Sequence, residues 1–181
     1  MQVEKLEQRL AAIYHSRMPV RSIQHERILI LFSGVPGSGK TTLAKNLARD
    51  FSAQYIRADD IRTLAHEENI DLNTIVISRV SRKVIDMILE NDTNLRIIVD
   101  ASIDRTWPEA LAHARERRIE TLIIRMGATR MMVETRRGER HDLDTYYRQF
   151  EACKKEVVAD IEVEETYEYE SIQRQVEALL V

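Results

Sequence analysis

The sequence predicts an α/β fold, a parallel sheet of five strands with helices on both faces. Three observations lead there. The run Ile28–Phe32 is continuously apolar over five residues, too short for a free-standing helix, and reads as a strand buried on both faces. Further short strand-like runs alternate with segments of helical periodicity, which implies right-handed crossovers and a covered parallel sheet. The chain of 181 residues is 44% hydrophobic and 31% charged, enough apolar surface for the core of one domain.

The elements follow in order. Val3–Tyr14 carries Leu6, Leu10 and Ile13 at helical spacing, an amphipathic N-terminal helix within residues 1–20. It packs on the domain edge or serves as a dimer contact or regulatory arm; residues 21–181 form the main domain. After the Ile28–Phe32 strand, Gly39–Phe51 presents Leu43, Ala44, Leu47, Ala48 and Phe51 on one helical face. A short strand covers Gln54–Arg57, and helices cover Asp60–Glu67 and Asn73–Glu90. Leu95–Val99 is the third strand, ending at Asp100. Thr106-Trp107-Pro108 opens a helix to Arg117, with proline in the first turn where it is tolerated. The fourth strand is Ile119–Arg125, helices span Thr129–Gly138 and Leu143–Ala159, and a strand at Ile161–Glu164 and a helix at Tyr169–Leu180 close the chain.

Composition excludes several classes. The formal net charge of −3 argues against a basic nucleic-acid-coating protein. The single cysteine, Cys153, reads as a half-buried helix residue, and no Cys/His metal spacing exists. No apolar run approaches the ~18 residues of a membrane span, and the N-terminus lacks a signal-peptide core. A cytoplasmic enzyme or binding domain is the expectation. The acidic stretch Glu162–Glu170 reads as a solvated face.

Ligands in such sheets sit beyond the carboxyl ends of the strands. Directly after the first strand comes Gly34-Val35-Pro36-Gly37-Ser38-Gly39-Lys40-Thr41-Thr42, which matches G-x-x-x-x-G-K-[ST]. Three of the chain's five glycines fall within these first six positions. They let the backbone wrap a phosphate and aim N–H groups at it, and the following helix adds its positive end. Lys40 reaches the terminal phosphates, and the Thr41 hydroxyl ligates Mg²⁺. This is a nucleoside-triphosphate phosphate loop.

After the second strand, Asp59 and Arg62 lie three apart and share a helical face. Two roles fit: a base for an attacking hydroxyl beside an acceptor-holding arginine, or an N-cap with a solvated partner. Asp100, at the third strand's end, positions Mg²⁺, its water or an acceptor hydroxyl, or else caps a turn. Arg130, Arg136, Arg137 and Arg140 crowd one segment, a lid at about residues 129–142 that brings guanidinium groups over the phosphates. A solvated basic helix paired with Glu134 and Glu139 is the competing reading. Trp107 anchors its helix. Of the adjacent Tyr146 and Tyr147, one faces the core and one solvent. His25, His66, His113 and His141 suggest no relay.

These residues together resemble the small P-loop kinases related to phage-type polynucleotide 5′-hydroxyl kinase, a group similar to zeta toxins, gluconate kinases and antibiotic phosphotransferases. The resemblance spans roughly residues 27–180. It implies a three-layer P-loop sandwich, ATP phosphates and Mg²⁺ on Lys40 and Thr41, and Asp59 as general base. It also implies Arg62 as acceptor holder, Asp100 near acceptor and metal, and Arg140 with Arg136 on the transferring phosphate. The lid carries Arg136-Arg137 where that group often has Arg-Asn.

The expected activity is ATP- and Mg²⁺-dependent transfer of the γ-phosphate to a hydroxyl, either the 5′-OH of a short nucleic acid or that of a sugar, nucleoside or polyol. A nucleotide-dependent switch or toxin-like ATPase is the alternative class. The net charge and the scarcity of aromatic residues argue against a long nucleic-acid footprint. Oligomeric state leaves no sequence signal.

Overall fold

The computed structural model describes residues 2–19, 27–72, 76–91, 95–137 and 143–180. The chain runs α1 (Gln2–Ser16), β1 (Ile28–Ser33), α2 (Lys40–Asp50), β2 (Gln54–Arg57), α3 (Ala58–Glu67), α4 (Ile77–Asn91) and β3 (Arg96–Ser102). It continues α5 (Trp107–Arg117), β4 (Glu120–Met126), α6 (Arg130–Arg137), α7 (Leu143–Glu156), β5 (Ile161–Val163) and α8 (Tyr169–Leu179). The five strands form one parallel sheet in the order β2-β3-β1-β4-β5.

Every residue of β1 is buried, as its unbroken apolar run requires. Its side chains alternate between two cores. Leu29 and Leu31 join a cluster with Val80, Val84 and Ile85 of α4 and with Cys153 of α7. Ile28, Ile30 and Phe32 join the opposite cluster with Leu43 and Leu47 of α2 and Ile172 and Val176 of α8. Each fully buried aliphatic or aromatic side chain of this kind stabilises by about 1.5–3 kcal/mol. A smaller cluster, Val35, Val133, Leu143 and Phe150, ties α6 and α7 to the loop after β1.

The N-terminal helix is longer than Val3–Tyr14 and packs on α3 and α4 of its own chain, with Leu10 and Ala11 fully buried. Glu7 is only 2% exposed, and its Oε1 accepts from the Val76 N–H and from Arg79 Nε, both at 3.0 Å. That carboxylate satisfies the start of α4, which begins at Ile77; residues 73–75 of the expected helix lie outside the described residues. The Tyr14 hydroxyl accepts the Arg57 N–H at 3.0 Å, where β2 passes into α3.

Two further boundaries differ in ways that matter for the site. β2 runs directly into α3, with extended Arg57 as the N-cap, so Asp59 and Asp60 sit inside the first turn. Carboxylates are favourable there against the helix dipole. β3 continues past Asp100 to Ser102, because Arg57 pairs with Asp100 and Phe32 with Ser102 across a register shift in β1. Asp100 is therefore inside the strand, not at its tip. Cys153 is fully buried, not half-buried, and burial pushes its thiol up to about 11. Trp107 packs against the core as expected.

Candidate active site

The loop after β1 bends back through three glycines at positive φ. Gly34 has φ +143°, and a Cβ there would meet the Met126 carbonyl oxygen at 2.9 Å, so a side chain is excluded. Gly39 has φ +101° and opens α2. Asp104, which is buried, anchors the loop from the far side of β3. It accepts the Ser33 hydroxyl at 2.7 Å and the Gly34 N–H at 3.1 Å. The result is a cradle whose concave side is lined by Gly34, Pro36, Gly37, Ser38, Gly39, Lys40, Thr41 and Thr42. Val35 alone of the motif turns away, into the small cluster under α6.

Lys40 crosses this cradle. Its Nζ donates to the Gly34 and Val35 carbonyls at 2.7 Å each and to Ser38 Oγ at 3.2 Å. The ammonium is thus held at the concave centre, where phosphate oxygens would compete for it. Thr41 Oγ1 donates to Asp100 Oδ1 at 3.0 Å, and the Tyr55 hydroxyl donates to Asp100 Oδ2 at 2.6 Å. Burial, reinforced by Asp100, holds the Tyr55 phenol well above its ordinary pKa, so it stays a neutral donor. Among the described residues no cluster of three or more metal-ligating side chains occurs. A hydroxyl and a carboxylate side by side are nevertheless the hard oxygen pair that suits Mg²⁺, which completes its shell with phosphate oxygens and water. The residues fit that ion.

Across the cavity stand Asp59 and Arg62, joined at 2.5 Å. Arg57 Nη2 lies 3.5 Å from the other Asp59 oxygen. Because Arg57 is the N-cap, the N-cap reading of Asp59 is overturned; its carboxylate lines the cavity, flanked by two guanidinium groups. Arg136 of α6 reaches the Gly37 carbonyl at 3.1 Å, so it does not pair with Glu134. That glutamate is taken by Arg130 at 2.8 Å, which also holds Asp144 at 2.6 Å. The remaining lid residues of the sequence reading, Gly138, Glu139, Arg140 and His141, lie outside the described residues, as does His25.

The phosphate loop, Asp59, Arg62, Asp100 and Arg136 all line one cavity of about 800 Å³. Several of its residues escaped the sequence reading. Asp104 and Arg105 follow β3, which runs past Asp100 to Ser102. Tyr55, which joins the site only through its hydrogen bond to Asp100, is legible in sequence as a strand residue alone. Tyr146 and Gln149 face the cavity from α7, and Glu165 and Tyr167 from the segment before α8. Neither tyrosine of the Tyr146–Tyr147 pair faces open solvent: both are half-buried, and Tyr147 donates to the Ala128 carbonyl at 3.2 Å. The acidic stretch is also more than a solvated face. Glu162 holds buried Arg125 at 2.5 Å, and Glu165 receives Thr129 Oγ1 at 3.0 Å.

Residues 29–175, from β1 through the phosphate loop into α8, match the AAA domain family. The chain belongs to the AAA domain family. Among curated proteins, this AAA domain protein is 38% identical over 76 residues to a cytidylate kinase of Methanocorpusculum labreanum, a match covering 41% of this chain and 42% of the relative. The chain spans less than half the length of the curated relatives it matches. Among solved structures it is similar to the Mycobacterium tuberculosis APS kinase in complex with AMPPNP and APS. The TM-score is 0.55 at 17% identity, covering 87% of this chain and 99% of that one. It is similar also to the shikimate kinase of Aquifex aeolicus, with a TM-score of 0.54 at 15% identity over 84% of this chain and 97% of the other. The fold of this AAA domain is thus the three-layer P-loop kinase sandwich. No described helix is long and apolar enough to cross a membrane.

Proposed function

We propose that the protein is an ATP- and Mg²⁺-dependent kinase that moves the γ-phosphoryl group of ATP to a hydroxyl of a small acceptor. One observation carries the reading: the Asp59–Arg62 pair faces the Lys40 cradle across a single cavity. A switch needs the cradle but has no use for a guanidinium-flanked carboxylate opposite it.

In this reading the Gly34–Thr42 backbone and Lys40 hold the β- and γ-phosphates. Thr41 and Asp100 would hold Mg²⁺, which would supply charge neutralisation on the phosphate oxygens. Arg62 orients the acceptor, and Asp59 accepts its hydroxyl proton as the acceptor oxygen bonds to Pγ. The Pγ–O bond to the β-phosphate breaks, and its electron pair leaves on ADP. Arg136, freed from the Gly37 carbonyl, stabilises charge on the transferring group, with Arg140 as its partner from the lid. Most of the rate comes from positioning and electrostatics.

The motif resemblance points to a polynucleotide 5′-OH; the net charge of −3 and the scarcity of aromatic residues favour a small molecule. A second reading has a phosphate oxygen of a nucleoside monophosphate as acceptor, supported by the local identity to cytidylate kinases. Such an oxygen carries no proton to remove, so Asp59 separates the two.

The test is transfer of labelled γ-phosphate to a panel of sugars, polyols, sugar acids, nucleosides, CMP and a 5′-OH oligonucleotide, with wild type and Asp59→Asn. A hydroxyl kinase loses about 10²–10⁴-fold in kcat through Asp59→Asn with ATP affinity unchanged. Transfer to CMP that survives the substitution establishes the second reading. ATP hydrolysis indifferent to every acceptor and to Asp59→Asn refutes the kinase assignment.

A further inference from the structure

A second chamber of about 480 Å³ opens off the first. The two share Ala58, Arg62, Ala101, Ser102 and Arg105 along a common mouth. Leu29, Leu31 and Val99 of the sheet line its floor, and α4 and α5 supply its walls. Thr106, Ala110 and His113 step along α5 away from the mouth, about 10 Å at the ~1.5 Å rise per helical residue. A floor this apolar, in a space of this size, matches small-molecule sites rather than a solvent channel.

Several of its polar groups are unspent. Arg82 and Arg105 make no hydrogen bond or ion pair among the described residues. Burial lowers the pKa of Arg82, and the carboxylates of Glu109, Glu7 and Asp86 act on it only at longer range. The His113 side chain is 90% buried, being 10% exposed, and its Nε2 lies 2.9 Å from Asp86 Oδ1. Its Nδ1 is buried with no hydrogen-bond partner. A buried polar atom left unpaired costs about 1–3 kcal/mol, which a ligand group hydrogen-bonded to Nδ1 would recover.

We propose that this chamber binds the phosphoryl acceptor as a small organic anion. Arg62, Arg82 and Arg105 hold its charged group, the apolar floor takes its body, and a polar group on it hydrogen-bonds to His113 Nδ1. The name acceptor rests on the kinase reading above; the binding itself does not. The juxtaposition explains why an apolar slot carries three guanidinium groups at and near its mouth. It also sets specificity: a neutral analogue leaves Arg82 and Arg105 without a counter-charge.

The test is calorimetric titration of the full chain, without ATP, with CMP, D-gluconate and shikimate as anions and cytidine as the neutral counterpart of CMP. Two variants accompany wild type: Arg82→Met removes one cation, and Ala110→Phe fills the chamber without changing charge. At least one anion binds, and if that anion is CMP it does so at least about 10-fold more tightly than cytidine, ~1.4 kcal/mol. Arg82→Met weakens that anion about 10-fold or more, and Ala110→Phe abolishes its binding. ATP affinity in both variants stays within about twofold of wild type, which reports intact folding. The inference is overturned if no anion binds with Kd below about 5 mM, or if both variants bind as wild type does. Anion binding by a wild-type protein that fails to bind ATP would sink the kinase reading and leave the chamber standing.

Discussion

Two alanine substitutions in the phosphate loop separate steric exclusion from backbone preference. At Gly34 both act: φ is +143°, and the new Cβ would sit 2.9 Å from the Met126 carbonyl oxygen, 3.0 Å from Ser38 Oγ and 3.1 Å from Met126 Cβ. Real Cβ atoms do not approach a backbone oxygen that closely, so β4 or the loop must move. Backbone strain costs about 1–3 kcal/mol, and forcing a methyl into a filled space costs about 1–3 kcal/mol more. Gly34→Ala should therefore lose about 2–6 kcal/mol. At Gly39 only the first contribution operates. Its φ is +101°, but the nearest atom a Cβ would meet is Met126 Cε at 3.6 Å, an ordinary contact with a flexible side-chain end. Gly39→Ala should cost about 1–3 kcal/mol. Urea unfolding followed by circular dichroism measures both, with ATP titration as the functional readout. Gly34→Ala also pulls its N–H away from Asp104, so ATP affinity should fall further there than for Gly39→Ala. Equal losses of stability in the two variants would refute the assignment of Met126 as the wall that requires glycine.

Other outcomes follow from the same structure. Glu7→Ala should destabilise by about 1–3 kcal/mol, since it removes the acceptor at the α4 start and one buried methylene. Glu7→Gln should cost under about 1 kcal/mol, because Arg79 is largely exposed and its ion pair is screened; a reversed order in urea unfolding would contradict this. Burial raises the Asp86 carboxyl, but hydrogen bonds from His113 and Arg117 win and hold it down at about 2. A depressed carboxyl stabilises the fold above its unfolded pKa of about 3.9 and loses that contribution as pH falls through the folded value. Asp86→Asn should therefore flatten the acid limb of stability between roughly pH 4 and 2; an unchanged limb would show that the triad forms no such linkage. Arg136→Gln should leave ATP affinity within about threefold while lowering the transfer rate about 10-fold or more. Equal losses in KM and kcat would make Arg136 a ground-state contact.

What the sequence made legible was local chemistry. Gly34–Thr42 declares itself because phosphate binding needs glycine, lysine and hydroxyl in one short stretch after a strand. The two cores of β1 were legible because Ile28–Phe32 has no polar residue on either face. Asp59 and Arg62 were visible as a pair, but their orientation was not: it depends on β2 running straight into α3 with Arg57 as the cap. Asp104 and Arg105 were hidden by a register shift between β1 and β3, a property of two strands and not of either one. His113 gives no signal in the sequence because its partner, Asp86, lies on another helix. The second chamber is the space left between α4 and α5 on the sheet, and no single segment encodes a space.

The position of β1 has a consequence for how the chain is made. Leu29 pairs with Ile97 on one side and with Thr121 on the other. Both partners emerge from the ribosome long after it does. At synthesis rates of ~5–20 residues per second, the most apolar segment of the protein waits several seconds with neither edge covered. During that interval Ile28–Ser33 is a bare, uncharged strand, the kind of template on which nascent chains cross-pair. The feature that places the phosphate loop at the centre of the finished sheet thus makes its strand the chain's most exposed liability before folding. Ribosome-bound fragments ending before residue 96 should need a chaperone to stay soluble, and fragments extending past β4 should need it far less.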